Sequence, residues 1–260
     1  MIGRAHGRRT VARCLSLPLA AQRRSRGWSL SFAGALALLV AAGCGAEDDT
    51  GPDDEFPSGS GQLPADDEPA YPPGPHGFAV GSVVPNWAFL GYANPQLEMG
   101  QGHRRIALSD FYNPTGDALW GPGAPFPEGT PKPVALMIDM SAVWCPPCQY
   151  EAESVLPGRA RQHAPRGMVM CNLAESGLPG NPASSQDLDT WATRYAVEYP
   201  LVLDPRYRLG MLNPKPAWPG NFIIDTRTMV LADAVAGVPE DEFWSLFEAV
   251  IDGTWTPPAP

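Results

Sequence analysis

The chain has 260 residues, 44% of them hydrophobic and 18% charged, which is enough apolar material for a packed core. The formal net charge of −10 is unevenly placed: residues 1–43 hold seven arginines and no acid, whereas Cys44 onward carries 11 basic and 28 acidic residues. So acidic a body repels phosphate, which excludes electrostatic binding of nucleic acid or an anionic lipid surface. No apolar run reaches the roughly 18 residues of a spanning helix, which excludes a multi-pass transporter.

Arg23, Arg24 and Arg26 precede an apolar run from Trp28 to Ala42, the order of a basic region and hydrophobic region in a secretory signal. The run closes in Leu39-Val40-Ala41-Ala42-Gly43-Cys44. Small residues before a cysteine resemble a bacterial lipobox, so residues 1–43 are expected to be a lipoprotein signal, with Cys44 lipidated and the new N-terminus. An ordinary cleaved signal and a buried helix with an incidental cysteine are the alternatives. Residues 44–77 hold nine acids, no Lys or Arg, seven prolines and six glycines. Such a stretch cannot bury enough surface to offset chain entropy, and it is expected to be a disordered tether.

Residues 78–260 read as one α/β domain. Val83-Val84-Pro85-Asn86-Trp87 and Ile106-Ala107-Leu108 are expected to be strands of an N-terminal hairpin, followed by a Gly/Pro-rich loop over 113–133. Val134 to Met140 is an apolar run interrupted by Asp139, the pattern of a buried central strand. A helix is expected from Cys145 toward His163, then a strand from Met168 to Leu173. Asp187 to Val197 places Leu188, Trp191, Ala192 and Tyr195 at helical spacing. Leu201-Val202-Leu203 is a third strand, and Asn221–Asp225 and Met229–Ala234 are two more across a short polar turn. Pro239 to Ile251 is an amphipathic closing helix with Glu240, Asp241 and Glu242 in its first turn, where the helix dipole favours acids. This order implies a mixed central sheet with helices on both faces.

The chemistry concentrates at Trp144-Cys145-Pro146-Pro147-Cys148. A Cys-x-x-Cys after a buried strand and at the start of a helix is a redox signature. A sulfur at the helix N-cap faces unpaired N–H groups that favour thiolate, the nucleophilic form, and a cysteine three residues on can close a disulfide. Both prolines suit a first helical turn, where missing N–H groups cost least. A structural disulfide, a zinc site and a Cu(I)-binding dithiol compete with this reading. Zinc would need further ligands, and only Cys171, His76, His103 and His163 remain beyond Cys44, none of them paired by spacing.

The segment Ile138-Asp139-Met140-Ser141-Ala142-Val143-Trp144-Cys145-Pro146-Pro147-Cys148 resembles the strand-to-active-site stretch of the thioredoxin superfamily, and most of all its membrane-anchored TlpA/ResA-type thiol-disulfide oxidoreductases. Val84-Pro85-Asn86-Trp87 is similar to an opening segment shared with peroxiredoxin-like domains, and Trp218 to Asp225 to the family's cis-proline strand. The resemblance spans residues 78–252. It implies a thioredoxin-like fold, with a central mixed sheet flanked by helices and an N-terminal hairpin extension. It implies Cys145 as the attacking and Cys148 as the resolving thiol, with Asp139 as a buried proton acceptor. Pro219 is expected to be cis, with Trp218 and Trp144 beside the dithiol as substrate contacts. Trp218 departs from the smaller residue usual before that proline, and Gln149 replaces a frequent arginine. Glu151 matches an acid common in the TlpA-like branch, a solvated helix charge being the equal alternative. Cys171 reads as a buried small residue.

The function expected is thiol-disulfide exchange, acting as a reductase on protein disulfides or dithiols of the cell envelope. It would be fed by an unidentified electron donor and held to the membrane by the lipid anchor, facing the periplasm or exterior. No metal, cofactor or nucleic acid is expected. The alternatives are a copper-binding chaperone and a redox-inactive docking module of the same fold.

Overall fold

The computed structural model describes residues 70–258, all within the second of the two units into which the chain divides, Ser58–Pro260. The signal, Cys44 and most of the tether therefore lie outside the described residues. In chain order the elements are β1 (Ala88–Tyr92), α1 (Pro95–Glu98), β2 (Arg104–Ala107), β3 (Ala135–Ala142), α2 (Pro146–Tyr150), α3 (Leu156–His163), β4 (Gly167–Glu175), α4 (Ser185–Arg194), β5 (Leu201–Leu203), β6 (Gly220–Asp225), β7 (Val230–Ala236) and α5 (Asp241–Asp252). A π-turn, Glu151–Val155, joins α2 to α3, and 3-10 turns occupy Leu108–Phe111 and Leu209–Leu212.

The seven strands form one mixed sheet in the order β2-β1-β5-β4-β3-β6-β7. β3 pairs parallel with β4 and antiparallel with β6, and β4 pairs parallel with β5. A central βαβ unit followed by an antiparallel β6–β7 pair and a closing helix is the thioredoxin-like topology. The β1–β2 hairpin adds to its β5 edge, antiparallel to β5.

Alternation along the strands sorts the core into two faces. Ala135 and Met137 of β3 join Val169, Cys171, Leu173, Leu201 and Ile223 under the helices, packing with Ala152, Leu156, Leu188, Trp191, Trp244 and Phe247. Leu136, Ile138 and Met140 face the other way, onto Phe89, Phe111, Trp120, Phe126, Leu209 and Leu212. The mixed sheet is flanked by helices as expected, but unequally. The buried residues of α3, α4 and α5 gather on one face, while the opposite face is covered by the 108–133 segment and the two 3-10 turns.

Two expectations near the N-terminus shift as well. The first hairpin strand is Ala88–Tyr92 rather than Val83–Trp87. Pro85 cannot donate to a ladder, and the preceding residues instead line the start of β7, through Val84 N–H to Met229 O (2.9 Å) and Leu231 N–H to Ser82 O (2.9 Å). The last residues assigned to the tether are docked on the domain: the Tyr71 hydroxyl donates to Val84 O at 2.8 Å, and its ring meets Tyr112.

Candidate active site

β3 delivers the dithiol. It is buried along its whole length, and its ladder to β4 shifts register between Ser141 and Ala142, so the chain turns off the sheet into Val143-Trp144-Cys145. The Cys145 N–H donates to Ala142 O at 3.1 Å, which tightens that turn. Cys145 is the N-cap of α2, with extended backbone (φ −88°, ψ 109°), and Pro146 and Pro147 fill the first helical turn, where an N–H is not missed. The Cys148 N–H donates to Cys145 Sγ at 3.2 Å. Cys145 and Cys148 are disulfide-bonded, with Cα atoms 5.3 Å apart.

The pair sits just below the surface. Cys145 is 1% and Cys148 0% exposed, while Pro146 and Pro147 stand in solvent. Trp144 and Trp218, both half-buried, pack against the cluster that holds the two sulfurs. Their rings meet edge-on at 6.0 Å, Trp218 meets Tyr207 at 5.4 Å, and the Trp144 indole N–H donates to Glu175 Oε2 at 2.7 Å. Trp218–Pro219 is a cis peptide. Gly220, the next residue, pairs with Met140, so the register brings Pro219 to the end of β3 that carries the dithiol.

Beneath the disulfide lies a buried polar cluster. Asp139 is fully buried and faces Cys171 across the β3–β4 ladder and Asn221 across the β3–β6 ladder. The Ser141 hydroxyl donates to Asp139 Oδ2 at 2.7 Å. Burial pushes the Asp139 carboxyl up to about 7, against hydrogen bonds from Ser141 and Cys171 that lower it. Glu151 is also fully buried, with Asn221 Nδ2–H donating to Oε2 at 3.4 Å. Its carboxyl is held well above the ordinary range by burial first and by the Asp139 charge second. Two carboxyls in such proximity resist ionising together, so the cluster can hold a proton near neutral pH.

The structure brings Cys145, Cys148, Trp144, Trp218 and Pro219 together at one end of β3, with Asp139 on the helix-covered face of the same strand. Glu151 is not a solvated helix charge. It stands three residues past Cys148 and one before the buried Ala152, on the face of the helix turned to the sheet, and that spacing was visible in the sequence. Asn221 and Glu175, as partners of Glu151 and Trp144, carried no local signal. Gln149 uses its amide to cap the turn, donating to Val143 O at 2.8 Å. Cys171 is a buried free thiol. Among the described residues no group of three or more His, Cys, Asp or Glu is placed to hold a metal ion.

No family model and no curated protein matches the chain. Similar solved structures include a thiol:disulfide interchange protein of the thioredoxin family from Chlorobium tepidum, 11% identical, covering 69% of this chain and 99% of that one at a TM-score of 0.42. A secreted thiol-disulfide isomerase from Corynebacterium glutamicum is 15% identical, covering 65% and 84% at 0.43. An exposed lipoprotein thioredoxin from Streptococcus pneumoniae is 19% identical, covering 63% and 99% at 0.41.

Proposed function

We propose that the chain is a thiol-disulfide oxidoreductase that exchanges its Cys145–Cys148 bond with protein dithiols and disulfides outside the cytoplasm, acting as a reductase. One observation carries this reading: a Cys-x-x-Cys disulfide opens a helix, with Cys145 as the N-cap, between the buried Asp139 of the strand before it and the buried Glu151 three residues past Cys148. In the reduced protein an anionic Cys145 sulfur is stabilised by the Cys148 N–H and the positive end of the helix. It attacks a partner disulfide, forms a mixed disulfide and expels one partner thiolate. Cys148 then gives its proton to the Asp139/Glu151 pair and attacks Cys145 Sγ. The Cys145–Cys148 bond forms, and the second partner sulfur leaves with the electron pair. The partner is reduced and the protein oxidised, and an external electron donor restores the dithiol.

Trp144, Trp218 and Pro219 form the contact surface for the incoming chain, whose backbone would lie beside the Trp218–Pro219 segment. A lipid on Cys44 would tether the domain to the envelope membrane. The test is insulin reduction with dithiothreitol as donor. Cys145→Ser abolishes activity, and Cys148→Ser accumulates mixed disulfides visible on non-reducing gels. Wild-type activity retained by Cys145→Ser would end the enzymatic reading, and tight Cu(I) binding without exchange would favour the metallochaperone.

A further inference from the structure

A cavity of about 660 Å³ opens at the end of the sheet opposite the disulfide, where its walls include Gly167 at the start of β4 and Pro200 just before β5. Pro157 and Ala160 of α3, Glu153 of the π-turn, Tyr195, Val169 and Tyr199 also line it. Tyr199 belongs to two neighbourhoods. It forms part of the cavity wall. It also precedes Leu201 by two residues, so it shares the helix-covered face with Leu201, which pairs with Cys171, which in turn pairs with Asp139. Tyr199 is 5% exposed, and its hydroxyl oxygen has no protein hydrogen-bond partner. Asp139 Oδ1, Glu151 Oε1 and Asn221 Oδ1 are likewise buried without a partner. These four polar atoms lie on the helix-covered face of the sheet, which also carries the unpartnered Trp191 Nε1 and Tyr195 Oη. Buried polar atoms left so in a core are rare and call for a reason.

The reaction supplies one. The proton that leaves Cys148 must reach solvent, yet Asp139 and Glu151 are both fully buried and Cys145 and Cys148 close the front of the cluster. We infer that Tyr199 is a proton relay, passing the proton of the resolving step from the buried carboxyl pair to water in the rear cavity. This rests on the functional reading above. In one concerted shift, as Cys148 gives its proton to the carboxyl pair, the pair passes a proton to Tyr199 Oη, directly or across a water, and the hydroxyl's own proton passes to cavity water and on to bulk base, so the resolving step waits on the relay. The tyrosine stays neutral throughout, and no electron moves in this transfer. Its environment suits that role. Burial first, then the charges of Cys171, Asp139 and Glu151, hold its hydroxyl well above the ordinary tyrosine range. The titratable groups facing the cluster are Asp139 from β3, Glu151 from the π-turn, Cys171 from β4 and Tyr199 itself. β6 contributes Asn221, which does not titrate, and Tyr195, Glu153, Glu98, Arg161 and Glu198 stand on the cavity side.

The test separates the two thiols. Reduced protein is mixed with Ellman's reagent in a stopped-flow instrument. Attack by Cys145 releases the first thionitrobenzoate, and resolution by Cys148 releases the second. In Tyr199→Phe the first phase keeps its wild-type rate. The second slows about tenfold, a modest share of what acid-base catalysis supplies, with an altered pH profile and a larger solvent deuterium isotope effect. Ala160→Leu, which narrows the cavity without touching the hydroxyl, slows the same phase and guards against a folding defect in the first variant. Wild-type second-phase rates and pH profiles in both variants would overturn the relay while leaving the oxidoreductase reading intact. A wild-type protein that releases no second thionitrobenzoate would overturn both.

Discussion

At Cys145 two demands conflict. The sulfur must meet a partner's disulfide, yet it is 1% exposed and its surroundings include two half-buried indoles. The helix N-terminus stabilises charge only where water competes weakly, so partial cover strengthens the effect that activates the sulfur. Trp218 is the side chain best placed to grade that cover, because it packs against the cluster holding both sulfurs, meets the rings of Trp144 and Tyr207, and reaches the core on the other face of the sheet as well. Truncating it should uncover Cys145. In the reduced protein, Trp218→Ala is expected to raise the rate of iodoacetamide alkylation at Cys145 several-fold, read by mass spectrometry, while Cys171 stays unmodified in its buried site. An unchanged rate would mean that the indole does not gate the sulfur. At this scale much was legible beforehand. Cys145, Cys148, Asp139 and Pro219 announce themselves by residue type and spacing. Glu151 was ambiguous because a charge on a helix is ordinarily solvated, and only its position beside Ala152, one turn past Cys148, argued otherwise. Tyr199 was invisible because its meaning depends on the strand register between β4 and β5, which no local pattern encodes.

Among the elements, the central strands were legible and the edge was not. β3 and β4 are mostly apolar runs, broken by Asp139 and Ser141 in one and Asn172 in the other, and their parallel pairing follows from the helix between them. β1 was misplaced by one segment. The Val-Val pair at 83–84 reads as strand but lies against β7, whereas the true strand, Ala88-Phe89-Leu90-Gly91-Tyr92, contains a glycine that weakens the signal. Gly91 is there for space. It pairs with Val202, and a Cβ at this position would collide with the Leu201 carbonyl and lie 2.7 Å from Val202 Cα. Those are backbone atoms of β5, which cannot move aside without disturbing its pairing with β4. Gly91→Ala should therefore pry the hairpin from the sheet. The expected cost is about 3 kcal/mol, the upper end for forced overpacking, read as a lower urea midpoint. A cost near zero would mean that the β1–β5 junction relaxes freely and that the hairpin adds little to the fold.

Across the whole molecule, the buried acids tie stability to pH with a definite sign. In the unfolded chain Asp139 and Glu151 titrate near the ordinary carboxylate value of about 4. In the folded chain burial holds Asp139 up to about 7, and burial with the Asp139 charge holds Glu151 well above its ordinary value. Between about pH 4 and 7 the folded state thus binds more protons than the unfolded state, so their contribution to stability falls as pH rises across that window. It is fully present below the unfolded values and lost once the folded carboxyls ionise. Other ionisable groups also contribute to the overall slope, so the comparison must be between variants. The oxidised protein is the right form, since neither Cys145 nor Cys148 titrates in it. The Asp139→Asn, Glu151→Gln double variant removes both groups and should lose distinctly less stability than wild type between pH 5 and pH 8 in urea titrations. Asp139→Asn alone should recover more than one group's share, because the charge that raises Glu151 goes with it. If the double variant kept the wild-type pH slope, the two carboxyls would have to be ionising freely in the folded protein, and the proton store under the disulfide would not exist.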